Sequence, residues 1–273
     1  MIKVALTIAG SDSGGGAGIQ ADIKAIQANG VFAASVITAV TAQNTTAVTA
    51  AYDLPLDLIE AQIDAVMTDL PVAVVKTGML SSAEIVELVA RKMKQYGVEA
   101  LVVDPVMISK SGYKLLKDDA VDAVKRSLMP LATVVTPNAH EAGLLAGLEV
   151  KTPDDAREAA KRILELGPKA VLVKGGHLAE EHESIDLLYD GKAFHSYPAP
   201  RIDTVNTHGT GCTYAAAIAA NLAKGFNLRG AIARSKRYVT DAIRHGLSIG
   251  SGSGPTHHFY FMEGSGIFPA ADE

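Results

Sequence analysis

The sequence predicts a three-layer α/β fold, a mostly parallel central sheet flanked by helices, from three observations. Short runs rich in Val, Ile, Leu and Ala recur along the chain. Helical patterns with start signals lie between them, and several runs end directly in glycine-rich, polar stretches. Near-continuous apolar runs suit parallel strands buried on both faces, and strand–helix alternation implies right-handed crossovers.

The predicted strands are Val4–Ala9, Ala34–Val40, Val72–Thr77, Ala100–Asp104, Thr133–Thr136, Ala170–Lys174 and Asp186–Tyr189. Among the helices, Ser81-Ser82-Ala83-Glu84 reads as a capping box ahead of Ile85, Leu88, Val89 and Met93 at helical spacing. Thr152-Pro153-Asp154-Asp155 supplies a cap, a first-turn proline and two acids before Ala156, Ile163 and Leu164. An alanine-rich helix is predicted over Tyr214–Lys224. A basic amphipathic one over Asn227–His245, with Arg229, Arg234, Lys236, Arg237 and Arg244, reads as a solvated outer face. No linker, repeat or composition break divides the 273 residues. The expectation is one domain over 1–262 and a C-terminal extension over 263–273.

Composition excludes several classes. With 48% hydrophobic and 20% charged residues, the chain is not disordered. A net charge of −5 offers neither a nucleic-acid surface nor a polybasic membrane patch. One cysteine rules out an intramolecular disulfide and a cysteine-based zinc site. The opening apolar run meets Ser11 and Asp12 too soon for a signal peptide, and no apolar stretch is long enough to span a bilayer. A soluble, cytoplasmic protein is expected.

In open α/β sheets, ligands bind beyond the carboxyl ends of the strands, and the unusual residues of this sequence fall there. The first strand runs into Gly10-Ser11-Asp12-Ser13-Gly14-Gly15-Gly16-Ala17-Gly18 and the second into Thr41-Ala42-Gln43-Asn44-Thr45. Later strands end in Lys76-Thr77-Gly78-Met79, Asp104-Pro105-Val106-Met107, Thr136-Pro137-Asn138-Ala139-His140-Glu141 and Lys174-Gly175-Gly176-His177. The first loop is not a dinucleotide fingerprint, because Ile19 stands where the last glycine should be. Nor is it a nucleophile elbow, because Asp12 occupies the central position. It reads either as a flexible strand-to-helix turn or as a loop that brings backbone close to a small ligand.

Thr207-His208-Gly209-Thr210-Gly211-Cys212-Thr213 is the strongest local signal. Glycines ahead of a helix let unpaired N–H groups converge, and the helix dipole adds to the attraction for an anion such as a phosphoryl group in transfer. The dipole would also favour a Cys212 thiolate; alternatively Cys212 is a small packed cysteine. Asp104, with Asn138 and Glu141, could hold Mg²⁺ against nucleotide phosphates, although Glu141 also reads as an ordinary first-turn acid. Lys174 could meet a phosphate as a point charge. The eight histidines show no metal-ligand spacing, and His257-His258 reads as a packed or solvated pair.

Together and in this order, the motifs from Ala5 to Phe259 resemble the hydroxymethylpyrimidine/phosphomethylpyrimidine kinases of thiamine biosynthesis, within the ribokinase-like superfamily. That resemblance implies ATP-dependent phosphorylation of 4-amino-5-hydroxymethyl-2-methylpyrimidine and then of its monophosphate. It implies that Gln43 bonds the aminopyrimidine ring and that Gly10, Ala17, Met79 and Val106 line the ring pocket. Gly209, Thr210, Gly211 and Cys212 match the anion hole, with Cys212 as proton acceptor or hydroxyl orienter. Asp104 and Glu141 match acids near Mg²⁺. Lys174, Asn138 and Thr207 match the ATP side, and the superfamily suggests a homodimer. Asp22 belongs to the first motif without an assigned role. Some pyridoxal kinases share the glycine-rich cysteine motif and give the nearest alternative. A cysteine-dependent hydrolase using Cys212 with His208 or His140 is the alternative from another class.

Overall fold

The computed structural model describes residues 2–107, 116, 118–177, 183–263 and 265. Its strands are β1 (Val4–Asp12), β2 (Phe32–Gln43), β3 (Val48–Asp53), β4 (Val72–Thr77), β5 (Leu101–Val103), β6 (Val134–Val135), β7 (Val171–Val173), β8 (Glu183–Tyr189) and β9 (Phe194–Pro200). They form one nine-stranded sheet in the order β3-β2-β1-β4-β5-β6-β7-β8-β9. From β2 to β7 every pairing is parallel. At the two ends, β3 pairs antiparallel with β2, and β8 and β9 continue antiparallel from β7.

The helices are α1 (Gly18–Ala28), α2 (Leu56–Asp69), α3 (Ala83–Gln95), α4 (Asp118–Ala123), α5 (Ala139–Ala146), α6 (Pro153–Leu164), α7 (Thr210–Ala223) and α8 (Leu228–Arg244). Successive strand residues point to opposite faces, so two cores form. Leu6, Ile8, Val75, Val103 and Val135 pack with Ile59, Ile63, Ile85 and Ile163. Ala5, Val74, Val102, Val134 and Leu172 pack with α7's alanines, Tyr214 and Ile232. The alanine run Ala215–Ala217 lets α7 lie close against the sheet, which carries its N-terminus to the carboxyl rim.

Strands β3 and β9 were not among those predicted. The exposed face of β3 and the alternating exposure of β9, which carries Pro198 and Pro200, give neither the continuous apolar run of a buried strand. The Thr152 capping box forms with Asp155, and Pro153 opens α6. The Ser81 box does not: Ser82 is the cap of α3, accepting from Ile85 N–H, while Ser81 Oγ bonds Asp53. Helix α8 is not simply a solvated face, because Lys236 is buried and pairs with Asp186 at 2.8 Å. His257 and His258 are both packed. Of the predicted extension, only Glu263 and Ser265 are described; Glu263 accepts from His245 Nδ1 at 2.9 Å. No helix among the described residues is long and apolar enough to cross a membrane.

Candidate active site

Every residue predicted for the site lines one cavity of about 750 Å³ at the carboxyl rim of the sheet. Its first wall is the Gly10–Gly18 loop, folded around Asp12. The Asp12 carboxylate accepts N–H groups from Gly14 at 2.8 Å, Gly16 at 3.1 Å and Ala17 at 2.7 Å, and His208 Nε2 lies 2.9 Å away. Burial alone would raise the Asp12 pKa, but His208 and the Ala17 and Gly14 amides hold it below the usual range. Both readings of the loop therefore apply: it is a turn, and its backbone faces the cavity. Gly10 makes room for Met79, whose Cε would lie 2.3 Å from a Cβ there and would have to move aside.

The second wall is the start of α7. Gly209 has φ +77°, and a Cβ on it would meet the Gly16 carbonyl oxygen at 1.7 Å, so two glycines let the loops touch. Among the described residues, the N–H groups of Gly209, Gly211 and Cys212 have no protein acceptor. Thr210 differs from expectation: its N–H turns back to the Thr207 carbonyl at 3.3 Å, as does its hydroxyl at 2.8 Å. The donor cluster thus comprises the main chain around Thr210 and excludes its own amide.

Of the two readings of Cys212, burial favours the packed thiol over the thiolate. Burial pushes the thiol up to about 12, further than the nearby Lys76 charge can bring it down. The first-turn dipole is a weaker influence than desolvation here. Against the hydrolase alternative, neither His208 nor His140 hydrogen-bonds Cys212 among the described residues; His208 Nε2 meets Asp12 and Gln43 instead.

The third wall carries charge. Asp104, just beyond β5, accepts from Thr136 Oγ1 at 3.0 Å and from Lys174 Nζ at 2.9 Å, while Glu141 Oε2 lies 4.0 Å from the same ammonium. Asn138 and Glu141 form a capping box on α5, with Asn138 Oδ1 accepting Glu141 N–H at 2.9 Å. Glu141 is thus a first-turn acid of α5, and both it and Asn138 line the cavity. Burial and the adjacent Asp104 push Glu141 up to about 7 in spite of Lys174. Asp104 is the reverse: burial opposes its ionisation, but Lys174 and Lys76 keep it below the ordinary range.

Among the described residues, no group of three or more His, Cys, Asp or Glu side chains is arranged to hold a metal. Two buried carboxylates beside a cavity still fit Mg²⁺, which binds through one or two carboxylates and completes its shell with water and phosphate oxygens.

Sequence reasoning missed two buried pairs on the cavity wall. Lys76 Nζ bonds both oxygens of Asp22, at 3.0 and 2.8 Å. Lys236 Nζ lies 2.8 Å from Asp186 Oδ2 as an ion pair. A lysine ending the apolar run Val72–Thr77 was the available signal for the first; the second had no local one.

A mostly parallel sheet with a glycine-flanked anion loop at its carboxyl rim, facing a lysine and two acids, defines a ribokinase-like small-molecule kinase. The chain belongs to the phosphomethylpyrimidine kinase family, whose model matches residues 12–257. It is similar to the hydroxymethylpyrimidine/phosphomethylpyrimidine kinase of Bacillus subtilis, at 49% identity over 97% of this chain and 97% of that protein. It is also similar to the thiamine biosynthesis bifunctional protein ThiED of Geobacter sulfurreducens, at 51% identity over 94% of this chain; it spans 52% of that longer protein. Among solved structures, the ADP complex of Bacillus subtilis pyridoxal kinase superposes with a TM-score of 0.89 at 39% identity, covering 96% of this chain and 99% of that one.

Proposed function

We propose that this kinase transfers phosphate from ATP to 4-amino-5-hydroxymethyl-2-methylpyrimidine and then to the resulting monophosphate. The observation that carries the reading is a single cavity in which Gln43 shares the wall with the unpaired amides of Gly209, Gly211 and Cys212. Gln43 offers the ring both a donor and an acceptor, and Gly10, Ala17, Met79 and Val106 enclose its faces. The unpaired amides stabilise charge on the migrating phosphoryl group, aligned by the α7 dipole. Lys174 meets the phosphates as a point charge, and Thr207 and Asn138 border the nucleotide.

Asp104 and Glu141 would hold Mg²⁺, which would supply neutralisation of phosphate charge. Cys212, being a neutral thiol, orients the acceptor hydroxyl and is not the base. A loose transition state asks little of a base before the oxygen–phosphorus bond forms. Of the remaining parts of the reading, one catalytic domain over 1–262 and a cytoplasmic location rest on the sequence composition, and the homodimer on the family resemblance.

The pyridoxal kinase likeness favours one competing acceptor. ADP release should therefore be measured with the hydroxymethylpyrimidine, its monophosphate, pyridoxal and ribose side by side. The highest kcat/KM is expected for the two pyrimidines; preference for pyridoxal or ribose would reject the assignment.

A further inference from the structure

Gln43 is held more tightly than recognition of a ring requires. Ser13 Oγ donates to its carbonyl oxygen at 2.7 Å and accepts its N–H at 2.8 Å, which fixes the main chain. The side-chain amide lies between two further groups: Nε2 is 3.4 Å from His208 Nε2, and Oε1 is 3.3 Å from Thr41 Oγ1. Both separations are long for hydrogen bonds.

The hydrogens of these neighbours can be assigned from their other partners. Asp12 Oδ2, 2.9 Å from His208 Nε2, belongs to a carboxylate that already takes three main-chain N–H groups. An ionised carboxylate only accepts, so His208 Nε2 carries a hydrogen. Thr41 gives its single hydroxyl hydrogen to the Ser11 carbonyl oxygen at 2.8 Å, and a carbonyl cannot donate in return. His208 Nε2 has one hydrogen and Asp12 is its nearer acceptor, so towards Gln43 it presents only the flank of that N–H, to be shared, while Thr41 presents a lone pair. With Nε2 facing His208, a donor meets a nitrogen that bears a hydrogen; a half-turn of the amide plane removes that contact and gives the Thr41 lone pair a donor.

We propose that His208, anchored by Asp12, acts with Thr41 to lock the Gln43 amide with its oxygen towards His208 and its NH₂ towards Thr41, and that this lock selects the acceptor substrate. One amide edge then always faces the cavity in the same donor–acceptor order. A ring edge carrying an amine beside a ring nitrogen matches that order in one pose only. An edge carrying a phenolic hydroxyl without that neighbouring nitrogen does not supply the pair. His208 is a positioning residue, acting through Gln43. It also immediately precedes Gly209, so one side chain ties the ring-recognition end of the cavity to the anion loop.

The inference rests on the pyrimidine reading of Gln43, and a double-mutant cycle separates the two. ADP release is followed against the hydroxymethylpyrimidine and against pyridoxal. Gln43→Ala should raise the pyrimidine KM about tenfold or more. His208→Phe should also raise it about tenfold, with a much smaller change in kcat and in the KM for ATP. His208→Gln, which keeps an N–H donor, should restore most of the loss. The double variant should be no worse than Gln43→Ala alone, and the pyrimidine-to-pyridoxal preference should fall in both single variants.

Thr41→Val, nearly isosteric, gives the same cycle without touching the Asp12–His208 pair, and Thr41→Ser, which keeps the bond to the Ser11 carbonyl, should restore the parent KM. Effects that multiply to about a hundredfold, or an unchanged KM for His208→Phe and Thr41→Val beside a raised one for Gln43→Ala, would overturn the lock while leaving the Gln43 reading intact. An unchanged KM for Gln43→Ala would overturn both.

Discussion

Replacing Asp22 by Asn should destabilise the protein more than almost any other single polar substitution. Lys76 and Asp22 have side chains that are 0% exposed. The ammonium bonds both carboxylate oxygens, and Thr7 Oγ1 bonds one of them. Burial by itself would strip the proton from Lys76; the charges of Asp22 and Asp104 hold its pKa above the ordinary lysine value instead. Without the Asp22 charge, the ammonium keeps its full desolvation cost and loses its partner in contact.

Breaking one side of such a pair costs about 3–5 kcal/mol, against a total stability of about 5–15 kcal/mol for a domain. Urea denaturation at pH 7 should show that loss as a lower midpoint at an unchanged slope. Lys76→Met combined with Asp22→Leu should recover most of it, because an apolar pair of similar volume carries no desolvation penalty. A loss below about 1 kcal/mol for Asp22→Asn would refute the claim that the pair is desolvated and mutually dependent.

Other expectations concern the rim. Cys212→Ala should lower kcat much more than it weakens pyrimidine binding. Because burial pushes the thiol up to about 12, kcat should show no inflection between about pH 6 and 9 that disappears in that variant. Such an inflection would restore the thiolate. Glu141 is pushed up to about 7 from an ordinary 4.5, so the native state binds its proton more tightly than the unfolded chain does. Stability should therefore fall as pH rises from about 4.5 to 7 and stay reduced above that. Glu141→Gln, which keeps the capping box, should match the parent below about pH 4.5 and exceed it by about 3 kcal/mol above pH 7. Thermal melts across that range check this; parallel profiles would contradict it.

Much of the architecture was legible because buried parallel strands require apolar runs and their ends do not. Val72–Thr77 coincides with β4, and the polar ends of successive runs all reach one cavity. What escaped depends on tertiary context. Strands β3 and β9 lie at sheet ends, where half of each strand is solvated and the apolar signal thins. Ser81 could not be told from Ser82 as a cap until Asp53 claimed its hydroxyl. The state of Cys212 could not be chosen from sequence because a helix dipole can be read locally, whereas desolvation depends on distant elements. Lys236 looked like one more charge on a basic helix; only the position of Asp186 on β8 makes it part of the wall. His208 was visible as a neighbour of the anion loop, but its hold on Gln43 comes from strands far apart in sequence.

The central claim is that unpaired main-chain donors at the start of α7 grip the phosphoryl group in transfer. Amide proton and nitrogen shifts of the labelled protein, recorded before and after adding ADP, Mg²⁺, aluminium fluoride and the hydroxymethylpyrimidine, test it directly. Large downfield proton shifts are expected at Gly211 and Cys212, with Gly209 following and Thr210 nearly still. Unmoved signals at Gly211 and Cys212, with the transition-state mimic demonstrably bound, would contradict it.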